Sequence, residues 1–404
     1  MSGTPAHVYK PGLMHWSFIG FTAGATVSNI GGMVQRVVVT WVVWEMTRSS
    51  FWVGVIAVCE FAPNFFLTPF AGAALDRLSM RKVLAATQVV GFVQALLLFL
   101  LWRWGMLDLP LIIALTLVFA VANSFYTPSL LTIVPLLIER EQISRAISIN
   151  AILVNVLLFV SPLLAALLIE TRGPDWGFGL NAVTYLVLLA VLPTIVIGER
   201  KRSPAGNGFL KDIAEGFRYA RHHKTIWTLL AGVSAVSLGG RALLSIMPVI
   251  AAEWFGGGPT TLGVLLAALG AGAIVGGLCV ASLATPAAKR FLLVSSIVAT
   301  VLFVLLAAAV TQLWLGVVAI FGMGLAAAVN SILTQTALQL TADPSMNGRV
   351  ISLYSMSMRA GPPLGAFLIG ALGAVVDLRI VVAGFALLAL LAAWPTRRLD
   401  LNFQ

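Results

Sequence analysis

Apolar segments about 20 residues long recur twelve times along the chain, separated by short polar stretches, and no other feature limits the fold as strongly. An α-helix rises about 1.5 Å per residue, so each segment is long enough to cross the roughly 30 Å hydrocarbon layer of a bilayer. There the backbone must satisfy its own N–H and C=O groups, which for runs of this length means helices. The sequence places the spans at 17–45, 51–75, 83–102, 110–137, 147–169, 178–198, 226–251, 261–284, 291–311, 313–338, 350–375 and 379–395. Composition agrees: 59% of residues are hydrophobic and 10% charged, against about 25% charged in soluble domains.

The longest polar interruption, Glu199 to Lys224, follows the sixth span. It predicts an N-terminal six-helix bundle at 1–198, a cytoplasmic linker at 199–225 and a C-terminal six-helix bundle at 226–404. The halves echo each other, as expected of a transporter built from repeats around a central site. Gly31-Gly32 in span 1 corresponds to Gly239-Gly240 in span 7, and Arg145-Ala146-Ile147-Ser148 to Arg349-Val350-Ile351-Ser352. In the linker, Phe209, Ile213, Phe217 and Tyr219 alternate with Lys211, Arg218, Arg221 and Lys224, suggesting an amphipathic helix on anionic headgroups.

The net charge of +10 is explained by topology. With both termini inside, eighteen of the 25 lysines and arginines fall in cytoplasmic segments, while the outer loops hold only Arg48, Arg103, Arg172 and Arg379. Basic residues stay on the cytoplasmic side, so the chain is expected to be multi-pass in a bacterial inner membrane, with no nucleic-acid partner. Cys59 and Cys279 lie in apolar stretches and the four histidines at ends or in loops. Neither a disulfide framework, a metal centre nor a cofactor site is therefore expected. No nucleophile–base set appears, so the chain is not read as an enzyme.

The loop between spans 2 and 3 reads Gly72-Ala-Ala-Leu-Asp76-Arg77-Leu-Ser79-Met-Arg81-Lys82. It resembles the signature loop of the major facilitator superfamily, Gly-x-x-x-Asp-Arg/Lys-x-Gly-x-Arg/Lys-Arg/Lys, with Ser79 in place of the second glycine. Further blocks are similar to the drug:proton antiporter branch that includes enterobactin exporters. They are Pro128 with Val134-Pro135, Asn181-Ala182, Glu215-Gly216-Phe217-Arg218-Tyr219, and Gly348-Arg349-Val350-Ile351-Ser352. The span 5 motif that ends in Gly-Pro in that branch appears here as Ser161-Pro162 without its other glycines. The resemblance implies an all-α membrane protein in two pseudo-symmetric six-helix bundles that transports a small molecule as a monomer. It also implies that Gly72, Asp76, Arg77, Arg81 and Lys82 form a gating motif. Gly72 would let helices approach closely, and Asp76 would take a charge-assisted bond in the state closed to the cytoplasm.

Ionisable groups at membrane depth are costly and are functional candidates by default. The spans hold Arg36, Glu60, Arg241 and Arg359. Asn29, Gly32 and Arg36 recur at i, i+3, i+7, as do Ser234, Ser237 and Arg241, and Ser352, Ser355 and Arg359, so each arginine extends a polar stripe. Glu60 is the candidate for proton coupling and a natural partner for Arg36. Gln35, Asn29, Asn123, Asn330 and Gln335 complete the candidate substrate site, although amides in spans also serve as interhelical glue. Gly263, Gly270, Gly272, Gly276 and Gly277 read as close helix packing. Three arginines against one carboxylate suggest an anionic or zwitterionic solute, and the resemblance implies that it is exported and that a siderophore is one such solute. The alternative is a multidrug efflux pump driven by proton antiport.

Overall fold

The computed structural model describes residues 12–13, 15–75, 78–196, 209–283 and 285–399. Among the described residues all regular structure is helical. Helices α1 (Trp16–Thr47), α2 (Ser50–Leu75), α3 (Met80–Arg103), α4 (Leu109–Leu137), α5 (Ile143–Arg172) and α6 (Pro174–Val191) precede the linker helix α7 (Phe209–His222). There follow α8 (Lys224–Gly239), the single turn α9 (Met247–Val249), α10 (Pro259–Ala281), α11 (Pro286–Ala309), α12 (Leu313–Thr341), α13 (Asn347–Gly373) and α14 (Leu378–Ala393). Among the described residues, ten helical segments are long and apolar enough to cross a membrane. The other two long helices, α1 and α13, carry the polar stripes with Arg36 and Arg359.

Helix ends follow local chemistry. Asp108, Thr285 and Asp377 precede α4, α11 and α14 and accept backbone N–H bonds from Leu111, Ala288 and Arg379. Such caps satisfy donors that the first turn leaves open. Between α5 and α6, Gly173 adopts φ 101°, and its N–H reaches the carbonyls of Leu168 and Ile169. Only glycine adopts that left-handed conformation cheaply.

The expected seventh span, 226–251, is not one helix. It stops at Gly239, continues as a 3₁₀ turn over Arg241–Leu244 and α9, and ends in a π turn over Ile250–Trp254. Here Gly239 and Gly240 give neighbours close access: a Cβ on Gly239 would stand 2.6 Å from Phe385 O on α14. Gly31, its counterpart in the first half, leaves no more room, with Asn181 Cα of α6 2.9 Å from a hypothetical Cβ. In each half, then, a glycine of the first span receives the backbone of the sixth.

Contacts group the chain into two compact units. One comprises 1–35, 63–157 and 175–204; the other comprises 36–62, 158–174 and 205–404. The first is centred on buried Phe18, Phe21, Leu84, Ile133 and Leu188. A larger core in the second unites Ala220 of α7, Ile226 and Leu229 of α8, Leu333 of α12, Tyr354 of α13 and Leu399. Glycines let the helices of this unit meet backbone to backbone. A Cβ on Gly365 would lie 2.1 Å from Leu238 O, and one on Gly370 would lie 2.4 Å from Ser50 O. The glycines of α10 divide between two neighbours. Gly272 and Gly276 face Phe321 and Leu325 of α12, Gly263 and Gly270 face Ala166 and Leu158 of α5, and Gly277 has only Ile332 at 3.9 Å.

In α7 the inward stripe is Ile213, Gly216 and Ala220, spaced i, i+3, i+7. Phe217, expected to belong to the same apolar set, instead points outward and is 46% exposed. One residue advances a helix by about 100°, so Phe217 cannot share the face of Gly216.

Candidate functional site

Arg36 lies late in α1 and Glu60 in α2, and the structure brings them together: Arg36 Nε stands 2.9 Å from Glu60 Oε2. The carboxylate is largely enclosed and the guanidinium half open, at 19% and 54% side-chain exposure. The pairing expected from the sequence is therefore present, within the second compact unit.

Gln35, one residue earlier, faces a different environment. Its Nε2 donates to Gln94 Oε1 at 2.9 Å, and its Oε1 accepts from Asn181 Nδ2 at 2.8 Å. Thr184 Oγ1 then donates to Asn181 O at 2.8 Å. This buried chain ties α1 to α3 and α6, so both ends of the Gln35 amide are engaged between helices. Ser28 donates to Gln88 at 2.9 Å in a parallel link from α1 to α3. Asn29 accepts a long bond, 3.4 Å, from the Tyr126 hydroxyl of α4. Asn123 is half-buried on α4.

In the second unit, Arg241 opens the 3₁₀ turn after α8. Its Nη1 lies 3.4 Å from the Met358 sulfur, and among the described residues it has no acidic partner. The Met358 sulfur also lies 3.8 Å from Ser331 Oγ, which shares a 2.8 Å bond with the Tyr354 hydroxyl. A second link joins Ser234 to Ser357 at 2.8 Å. Arg241, Ser331, Tyr354 and Met358 thus form one polar and sulfur-bearing cluster where the broken seventh span meets α12 and α13. A thioether sulfur is a weak acceptor, so this guanidinium retains most of its capacity to bind an anion.

Arg359 is exposed on α13, again without an acidic partner among the described residues. Asn330 is buried on α12 and Gln335 half-buried one turn further. Sequence reasoning selected the stripe Ser352, Ser355, Arg359 and passed over Tyr354 and Met358. The missed signal was the spacing of Tyr354, Met358, Gly361 and Gly365, at i, i+4, i+7, i+11, which marks the face of α13 that packs inward.

Of the gating motif, Gly72 lies in α2, while Asp76 and Arg77 fall outside the described residues. Arg81 and Lys82 occupy the first turn of α3 and are exposed. The Arg81 guanidinium donates to the carbonyl of Ile195, joining the start of α3 to the segment after α6.

A family model described as transmembrane secretion effector matches residues 13–402, which is nearly the whole chain. The chain belongs to this family of major facilitator transporters. Relatives of this family member include macrolide efflux protein A of Streptococcus pyogenes, 22% identical over 88% of this chain and 89% of that protein. The enterobactin exporter EntS of Escherichia coli is 29% identical over 82% of this chain and 79% of the exporter. Among solved structures, the nucleoside transporter NupG superposes with a TM-score of 0.72 at 12% identity, covering 94% of this chain and 98% of that one. A bacterial homologue of the iron transporter ferroportin in an inward-facing state gives 0.70 at 14%, with the same coverage. At such identities the structures speak for the fold alone. The family member described here is a multi-pass membrane transporter for small molecules.

Proposed function

We propose that this transporter exports an anionic or zwitterionic small organic solute, such as a siderophore, from the cytoplasm across a bacterial inner membrane. The observation that carries the reading is Arg241, a guanidinium within a helix cluster whose nearest polar partner is a sulfur at 3.4 Å. Uncompensated charge at membrane depth is expensive, and a carboxylate, catecholate or phosphate would compensate it. A planar guanidinium binds such oxygens through two parallel bonds in a way lysine cannot. Arg359 adds a second charge of the same sign, while Arg36 is already paired with Glu60. The enterobactin exporter among the relatives supports the same class of cargo.

The two halves, 1–198 and 226–404, alternate around this region, and both termini and the linker face the cytoplasm, as the placement of basic residues favours. Asp76 and Arg77 stabilise the state closed to the cytoplasm. The Arg36–Glu60 pair is the candidate proton-coupling element, because protonation of Glu60 would change the net charge beside Arg36. One chain suffices for the cycle.

Transport by purified protein in liposomes tests the proposal. A catecholate or carboxylate tracer should be carried by the parent protein, and Arg241→Lys should lose much of the affinity while keeping the charge. Preference for lipophilic cations, with Arg241→Ala and Arg359→Ala both fully active, would reject it. A multidrug pump is the second reading. It is favoured by Met358 and Tyr354 beside Arg241, since a thioether and an aromatic ring adapt to varied apolar ligands, and by the macrolide efflux relative.

A further inference from the structure

Among the described side chains of helix α7, those that hold it to the protein lie along one side. On that side Glu215 pairs with Arg349 at 2.9 Å, Tyr219 donates to Asp343 at 3.0 Å, and Ala220 is fully buried. The other side presents Phe217, Arg218, Arg221 and His222, spaced i, i+1, i+4, i+5, all exposed. The adjoining start of α8 adds exposed Lys224 and Trp227. The rings of Phe217 and Trp227 meet edge to face at 5.4 Å, which fixes an aromatic pair in the open. Nearby, after α14, exposed Arg397 stacks on Trp394 with 4.0 Å between guanidinium and ring centre. Buried Ala220, Ile226, Leu229 and Leu399 belong to one core, which holds these three pieces together. Arg218, Arg221 and Lys224 have no acidic partner among the described residues.

This combination suits a membrane interface. Amphipathic aromatic rings settle at headgroup depth, and arginine and lysine beside them attract anionic lipid. We infer that the exposed face of α7, with the start of α8 and the turn after α14, binds the phosphate headgroups of anionic phospholipids. The aromatic pair sits at the acyl boundary, and the three unpaired cations hold the phosphodiester charge. The binding anchors the linker helix to the bilayer while its opposite side grips Arg349 at the base of α13. The inference does not depend on which solute is carried or in which direction.

The test uses the full chain reconstituted in phosphatidylcholine with and without phosphatidylglycerol, with retained lipid counted by native mass spectrometry. The parent protein should retain phosphatidylglycerol preferentially, and the preference should fade at high salt. Neutralising Arg218→Gln, Arg221→Gln and Lys224→Gln should weaken it about fivefold per residue, since each such charge near an anionic surface is worth about 1 kcal/mol. Lys289→Gln with Arg290→Gln, basic residues in the first turns of α11 that are not part of the proposed face, should leave the preference intact. An unchanged preference in the triple variant, or an equal loss in the Lys289/Arg290 variant, overturns the inference. Were the triple variant to melt lower in phosphatidylcholine alone, Arg221→Gln and Arg221→Lys would carry the test: the first should lose preference, the second keep it, and equal behaviour overturns the inference.

Discussion

Arg349 and Glu215, 134 positions apart in sequence, stand 2.9 Å from each other, and Gly216 is what lets them meet. A Cβ on Gly216 would lie 3.0 Å from the Arg349 Cβ. Two of the sequence blocks shared with the antiporter branch, around Glu215 and around Arg349, are therefore the two sides of one contact between α7 and α13.

That contact yields a ranking. The ion pair is partly open, with side chains 30% and 36% exposed, and pairs of that kind contribute about 0–1 kcal/mol. Glu215→Gln should therefore shift the melting temperature little. Gly216→Leu has to push α7 off α13 and should cost about 1–3 kcal/mol, as overpacking does. Thermal unfolding in detergent reads both, and the reverse order would remove Gly216 from this role.

Arg36→Ala removes the counter-ion of the enclosed Glu60 carboxylate. Fully buried pairs lose about 3–5 kcal/mol when one partner is deleted. Because Arg36 is half open, the expected loss here is smaller, roughly 1–3 kcal/mol. Adding Glu60→Gln to that variant should restore much of the folding yield, measured as monodisperse protein after purification. A double variant no better than Arg36→Ala would mean that the two side chains do not depend on each other.

Gly370 has the Ser50 carbonyl 2.4 Å from where its Cβ would be, and Gly54 has the Ala366 carbonyl at 2.8 Å. Substituting leucine at either glycine forces α2 and α13 apart. Transport should fall sharply for both variants, whereas leucine at Gly384, which has no atom within 4 Å of its Cβ position, should transport normally. Full activity of Gly370→Leu would show that the α2–α13 contact is dispensable.

Glu253, exposed on the π turn that follows α9, has its carboxyl raised above the ordinary range, first by partial desolvation and then by the nearby Asp377 charge. A carboxyl raised in the folded state binds its proton more tightly there than in the unfolded chain. Its ionised form therefore costs stability, fully so above the folded pKa and not at all below the ordinary carboxylate value of about 4.3. Glu253→Gln should melt higher than the parent at about pH 8, and the gain should vanish toward about pH 4. A gain independent of pH would point to packing instead of charge.

Helix positions were legible because length and apolarity decide them, and the Arg36–Glu60 pair because two opposite charges at similar depth on successive spans have few other partners. The interruption after Gly239 was not legible: Ala242, Leu243 and Ile246 are as apolar as any helix, and only packing at Gly239 and Gly240 reveals the change of winding. Gln35 read as a polar group facing a cavity, yet its partners Gln94 and Asn181 lie on distant spans, and amide pairing leaves no periodic trace. Tyr354 was overlooked because a tyrosine in an apolar run resembles core, and its hydroxyl matters only once Ser331 is beside it.

The interrupted seventh span also has a mechanical consequence. Between Gly240 and Ser245 the N–H groups of Leu243 and Ser245 reach back three residues, to Gly240 and Ala242, where a continuous helix would reach back four. Bending or twisting such a stretch disturbs fewer bonds than bending an intact rod. The part of the span below Gly239 can therefore tilt without turning the part above Met247, like a shaft with a joint in it. Arg241 sits on that joint, so a small change of angle there alters how its guanidinium is presented to Met358.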